Sequence, residues 1–177
     1  VALNKNSAGL AQAYQNSNEL DSSTIYVIRN NDYIRKITYL NPAGRELRKF
    51  DAQGKMADER LNFEIPSDPF NAAVAGTRAI SKVYFVDDGL GPHLDLYSPI
   101  YDKDRKVEAI LKMQITVNQL RSALRDIKIE RSGYIYITDN EGRLLVHQND
   151  DYVLQRPNLS SRKIIADYQK ADAENKT

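Results

Sequence analysis

Apolar and polar residues alternate along two stretches in the middle of the chain. In 93–101, Leu94, Leu96, Ser98 and Ile100 share one side, and His93, Asp95, Tyr97 and Tyr101 the other. In 107–116, Val107, Ala109, Leu111, Met113 and Ile115 share a side opposite Glu108, Ile110, Lys112 and Gln114. A period of two marks half-buried β-strands. The short turn Asp102-Lys103-Asp104-Arg105 between them requires an antiparallel pair. A further strand is expected over Ile80–Val86, a β-branched and aromatic run. Residues 32–50 predict a hairpin, with Ile34, Ile37 and Tyr39 before Asn41-Pro42-Ala43-Gly44 and Leu47 and Phe50 after it. Asn opens such a turn, Pro presets φ at the next position, and Gly takes the fourth. Asp51-Ala52-Gln53-Gly54 repeats the chemistry, and Asp139-Asn140-Glu141-Gly142 joins Tyr134–Thr138 to Arg143–Val146 in another hairpin.

Helical spacing appears elsewhere. Leu3, Leu10 and Tyr14 fit one face of a helix over 2–20, with Asp21–Thr24 ending it or starting the next element. Its Asn and Ser content lowers intrinsic propensity, so it needs a packing partner. Asp68-Pro69 starts a short helix that Gly76 ends, with Asp68 a candidate cap. Leu120, Leu124 and Ile127 mark a helix over 117–128, and another is expected near 162–170. The strand–Asp/Asn-x-x-Gly–strand pattern occurs at 34–50 and again at 134–147, a weak internal repeat. It divides the chain into a sheet-containing domain over 1–128 and the start of a second over 129–177.

Composition narrows the function classes. With 25 basic and 24 acidic residues the net charge is +1, which gives no electrostatic case for nucleic acid or an anionic membrane. No apolar run approaches the length of a membrane span. Cysteine is absent, which excludes disulfides and thiolate metal sites. Only His93 and His147 could serve histidine chemistry, and His147 reads as a hydrogen-bonded structural group. Asp87-Asp88 and Asp150-Asp151 read as loop charges, and no phosphate-loop, zinc-protease or nucleophile-elbow motif occurs. No catalytic residue, metal or cofactor is expected.

The polar strand face is the candidate site. Asp95, Tyr97, Lys112 and Gln114 lie mid-sheet, either as a solvated face with cross-strand ion pairs or as a small polar pocket under a loop. Arg35, Arg45, Glu46 and Arg48 cluster on the first hairpin. An arginine there can hold a carboxylate through two hydrogen bonds or simply protect a sheet edge.

Three stretches in order carry a family resemblance: Ile37–Arg48 with its Asn-Pro-Ala-Gly turn; Ser81–Phe85, Pro92–Asp102 and Val107–Leu111; and Ser132–His147 continuing to Tyr152–Leu154 and Asn158–Ser160. Together they resemble the double Cache, tandem PAS-like, extracytoplasmic sensor domains of bacterial histidine kinases, diguanylate cyclases and chemoreceptors. Arg105-Lys106 and Glu108 stand where that family often has Gly, and the aromatic-rich motif of its amino-acid-binding subgroup is not visible. The resemblance implies an α+β fold: a long N-terminal helix packed on an antiparallel PAS-like sheet, followed by the start of a second, incomplete PAS-like unit. It implies a periplasmic, non-enzymatic sensing role, with membrane-spanning helices flanking this region. The ligand expected is a small polar metabolite such as an amino acid, organic acid or amine, bound by Tyr84, Asp95, Tyr97, Lys112 and Gln114 with Arg35 or Arg48 nearby. A homodimer through the N-terminal helix is expected. The alternative is a degenerate sensor that binds no small molecule and serves dimerisation or protein interaction.

Overall fold

The computed structural model describes residues 17–56, 62–117, 120, 124, 127 and 133–174. Two compact units divide them, one from residues up to Lys82 plus Leu94–Ile115, the other from Val83–His93 plus Thr116 onward.

The first unit opens with helix α1 (Ser17–Arg29). Leu20, Thr24 and Ile28, four residues apart, are all buried on one face. Glu19 in the first turn and Arg29 in the last complement the helix dipole. Asp21–Thr24 therefore lies inside a helix rather than at its end. The Thr24 hydroxyl donates to the Leu20 carbonyl (2.7 Å) and shares a hydrogen bond with the Tyr39 hydroxyl (2.7 Å). Tertiary packing thus overrides the low propensity of the Ser-Ser-Thr run. The expected helix over 2–20, with Leu10 and Tyr14, lies largely outside the described residues.

Strands β1 (Ile34–Leu40), β2 (Glu46–Asp51), β3 (Ala79–Ile80), β4 (Tyr84–Phe85), β5 (Pro92–Tyr101) and β6 (Val107–Thr116) form a sheet ordered β2-β1-β6-β5-β3, with β4 also paired to β5. The expected strand over Ile80–Val86 is split. Ala79↔Tyr97 and Tyr84↔His93 differ in register by one residue, so the edge strand bulges between its two short pieces. One sheet face meets α1 through Ile34, Ile37, Tyr39, Phe50, Ile100, Ala109, Leu111 and Met113. Leu96, Ile100, Ala109, Leu111, Met113 and Ile115 share the α1 face as alternation requires, whereas Val107, at the start of β6, packs with the cluster on the opposite face. On the opposite face Leu40, Tyr97 and Ile110 pack against Phe70 and Ala73 of α2 (Asp68–Val74). Ser67, not Asp68, occupies the N-cap of α2; Asp68 sits in the first turn, where its charge suits the dipole.

The turns share one construction. Asn41, Asp51, Asp102 and Asp139 each accept at the backbone carbonyl from the N–H three residues on, and at the side-chain oxygen from the N–H four residues on. The third residue after each is left-handed: Gly44 (φ 85°), Gly54 (φ 73°), Gly142 (φ 79°), and in one case Arg105 (φ 63°).

In the second unit, β7 (Ile137–Thr138) pairs with β8 (Leu144–Val146). This hairpin is shorter than Tyr134–Thr138 led one to expect. Helices α3 (Asp150–Leu154) and α4 (Lys163–Glu174) follow. Leu144, Val153, Leu159 and Ile165 form its core, with Phe85, Tyr136 and Tyr152 against them. The His147 Nδ1 accepts from the Asn149 N–H (3.0 Å), and the ring packs edge-on to Tyr134 and Tyr152. The expected helix over 117–128 lies largely outside the described residues.

Candidate ligand-binding site

The sheet face turned away from α1 carries a polar patch because the strand registers bring polar positions together. Lys36 faces Gln114 and Thr38 faces Lys112 across β1 and β6, while Thr38 also faces Lys49 on β2. These side chains, with Glu46, line a cavity of about 90 Å³. That volume suits a few waters or one small charged group.

Beside the cavity lies a buried ion cluster. Asp95 is 6% exposed and Tyr97 is 4% exposed. The Lys112 ammonium donates to both oxygens of the Glu64 carboxylate (2.8 and 2.9 Å) and lies 3.3 Å from Asp95 Oδ2. The Tyr97 hydroxyl donates to Glu64 Oε1 (2.8 Å), the oxygen that also accepts the 2.8 Å bond from Lys112. Lys112 also sits over the Tyr97 ring, 5.4 Å from its centre. Ser81 fixes Asp95 by accepting from its backbone N–H (2.8 Å). Phe70 supports the Tyr97 ring edge-on. Four groups from β5, β6 and the irregular segment at Glu64 are thus held in defined positions, as orientation-specific binding requires.

Burial shifts the protons of this face. Burial raises the Tyr97 phenol to about 12, and its hydrogen bond to Glu64 adds to the effect. Burial would lower the Lys112 ammonium, yet the Glu64 hydrogen bonds and the Asp95 and Glu64 charges outweigh it and raise it above its ordinary range. On the α1 side, burial raises the Tyr39 phenol to about 12 against the Thr24 hydrogen bond. In each case the folded chain holds the proton more tightly than the unfolded one. Their stabilising contribution is therefore complete below about pH 10 and is lost as pH rises through the folded values. Melting temperature measured from about pH 8 to 12 is expected to stay level and then fall above about pH 10. A flat profile through that range would contradict the burial of these groups.

The expected site residues are distributed as follows. Asp95, Tyr97 and Lys112 meet in the cluster, and Gln114 lines the adjoining cavity. Arg48 points to the other face, where its Nη1 lies 3.2 Å from both oxygens of Asp21 on α1. Arg35 sits at the register break between Ile34 and Lys36, half-buried. Tyr84 belongs to the second unit and stacks on His93, ring centres 6.2 Å apart. Glu64 escaped sequence reading because it lies in an irregular charged segment, 48 positions from Lys112. Lys36, Thr38 and Lys49 were legible only once strand pairing was known. Among the described residues no group of three or more His, Cys, Asp or Glu side chains could hold a metal ion. No helix among them is long and apolar enough to cross a membrane.

Comparison with known families decides what kind of domain this is. Residues 70–165, more than half of the chain, match the Cache 3/Cache 2 fusion domain. The chain belongs to the Cache 3/Cache 2 fusion domain family. Cache domains sense signals outside the cytoplasm and are not catalytic, and as a member of that family this chain is an extracytoplasmic signal-sensing domain. Solved structures share its fold at low identity. The extracellular domain of a histidine kinase superposes with a TM-score of 0.65 at 15% identity, over 93% of this chain and 72% of that one. A domain of a sensory box/GGDEF family protein from Vibrio parahaemolyticus gives 0.55 at 18% identity, over 73% of this chain and 53% of that one. The ligand-binding domain of the Pseudomonas aeruginosa amino acid chemoreceptor PctC, in complex with GABA, gives 0.52 at 17% identity, over 81% and 61%. The Cache chain thus spans about half the length of the Vibrio domain. A search of curated proteins found no match.

Proposed function

We propose that this Cache chain binds a small polar ligand on the sheet face that carries Asp95, Tyr97, Lys112 and Gln114, and relays occupancy as a conformational change to a membrane receptor. The observation that carries this reading is the buried cluster of Asp95, Tyr97 and Lys112 beside a polar cavity that also holds Lys36 and Lys49. Carboxylates and ammonium groups of both signs lie on one face, so a ligand with a carboxylate, an amine or both meets a partner for each. The GABA bound to the similar chemoreceptor domain is a molecule of that class. Arg35 remains part of the proposed set; Arg48, held by Asp21 on the α1 face, and Tyr84, in the second unit, stand apart from it.

In this reading 1–128 carries the membrane-distal Cache unit and 129–177 begins the membrane-proximal one. The chain itself carries no catalysis, and the N-terminal helix forms a homodimer. A two-state receptor responds only as far as its ligand binds one state better than the other. A thermal-shift panel of amino acids, organic acids and amines tests the ligand class. At a hundredfold excess over Kd a true ligand stabilises by about 2.7 kcal/mol, a clear rise in melting temperature. If no member of the panel shifts the melt, the ligand reading fails and the degenerate-sensor alternative gains. Sedimentation as a monomer at high concentration would remove the dimer.

A further inference from the structure

The Lys112–Tyr97 pair already holds a carboxylate, and it comes from the protein itself. Glu64 lies on an irregular segment crossing the tip of the first hairpin. Its backbone is tied there by the Glu64 N–H to Gly44 carbonyl hydrogen bond (2.7 Å), the Glu46 N–H to Asn62 carbonyl bond (2.9 Å) and a bridge between Arg45 and Phe63. Its neighbours Phe63 (69% exposed) and Ile65 (81% exposed) bury little. The segment is thus anchored by its backbone, and the Glu64 side chain can swing away without the segment leaving the hairpin. The position it would vacate is bounded by the Tyr97 hydroxyl and the Lys112 ammonium, and Lys112 also lines the open cavity with Lys36, Lys49 and Gln114.

We propose that Glu64 is a built-in stand-in for the ligand's carboxylate: Lys112 and Tyr97 form a carboxylate subsite that an incoming ligand takes over by displacing Glu64. The inference rests on the ligand-binding reading above and narrows its ligand to carboxylates. Two donors aimed at one carboxylate are the recognition element for any carboxylate of that size. The displaced Glu64 reaches solvent, because its side chain is 14% exposed where it now lies. The exchange swaps one carboxylate for another at the same donors, so its net free energy is small and the rest of the ligand decides the outcome. Lys112 keeps its ion pair with Asp95 throughout.

The test uses the truncation Glu64→Ala, which removes a methylene and a carboxylate, the shape of acetate. Acetate at about 100 mM is expected to raise the melting temperature of Glu64→Ala by about 3 °C relative to chloride at equal ionic strength. The wild-type chain is expected to show no difference between the two salts, and adding Lys112→Met to Glu64→Ala is expected to abolish the response. Glu64→Gln, which keeps the side-chain length, is measured in parallel and is expected to respond between the other two. Equal responses in wild type and both variants overturn the subsite. A carboxylate hit from the ligand panel is expected to bind Glu64→Ala about tenfold tighter than wild type, because it no longer competes with Glu64, while its carboxamide analogue gains nothing. Unchanged or weaker binding of the carboxylate makes Glu64 a structural ion-pair partner and overturns the displacement. A panel without hits defeats the ligand reading alone, since the acetate response is read on the variants without it.

Discussion

Replacing Lys112 with alanine is expected to lower the stability of the chain by about 2–4 kcal/mol and to abolish ligand binding on the polar face. The ammonium stands between the Glu64 and Asp95 carboxylates, and its side chain is 22% exposed against 14% for Glu64. Removing one partner of a buried pair leaves an uncompensated charge, which costs more than the pair contributes when intact. Here two carboxylates and the Tyr97 hydroxyl lose their shared cation, and residual solvent access keeps the loss below the deepest buried cases. Lys112→Met separates charge from packing. It keeps most of the apolar stem that lies against Tyr97, so a loss close to that of alanine shows that the charge dominates. Chemical denaturation gives the free energies, provided the slope with denaturant is unchanged. A cost under about 0.5 kcal/mol for both variants would mean the cluster is solvated like a surface pair.

The second large effect is expected at Gly142. Its φ of +79° lies in the left-handed region, and a Cβ built there would fall 2.7 Å from the Ser160 nitrogen and 2.8 Å from its Cα. The Leu159 N–H donates to the Gly142 carbonyl at 2.7 Å, so the Asn158–Ser160 segment is already drawn against this turn. Gly142→Ala adds left-handed strain of about 1–2 kcal/mol to a clash that only backbone movement can relieve. A total of about 3 kcal/mol is expected, concentrated in the second unit. Gly89 is the control. It has a φ of +72° and nothing within 4 Å of the added atom, so Gly89→Ala is expected to cost only about 1 kcal/mol. Hydrogen exchange should show faster opening of 137–146 than of 34–40 in Gly142→Ala. Equal costs at the two glycines would mean Ser160 yields freely.

These effects bear on how far the sequence could be read. The turn at Asp102 is instructive. It has no glycine, yet Arg105 adopts a φ of 63° in the same hydrogen-bonded frame as the Gly turns. The acidic side chain at the first position, accepting from the N–H four residues on, carries the turn; glycine only removes strain. That is why the hairpins were legible at all four places. The sequence puts an element boundary at Asp21–Thr24 because Ser and Thr compete for backbone hydrogen bonds in isolation. In place, Thr24 satisfies itself against Leu20 and Tyr39, and Leu20 and Ile28 bury the same face. The four-residue spacing of those positions was the available signal.

Local chemistry by itself determined the β-turns, the two long strands, which of their side chains share a face, and the short helix after Pro69. Strand alternation and turn residues act within a few positions, so they survive without knowledge of the fold. The order of the three resembling segments also pointed to a Cache domain, which the family match establishes. Only the tertiary structure decided what the polar face contains. Glu64 reaches Lys112 from 48 positions away, and Arg48 turns instead to Asp21 on the helix side. The physical reason is that a charge buried in a sheet takes whatever opposite charge the chain path brings within reach. That path is set by register and by an irregular segment, neither of which leaves a periodic trace in the sequence.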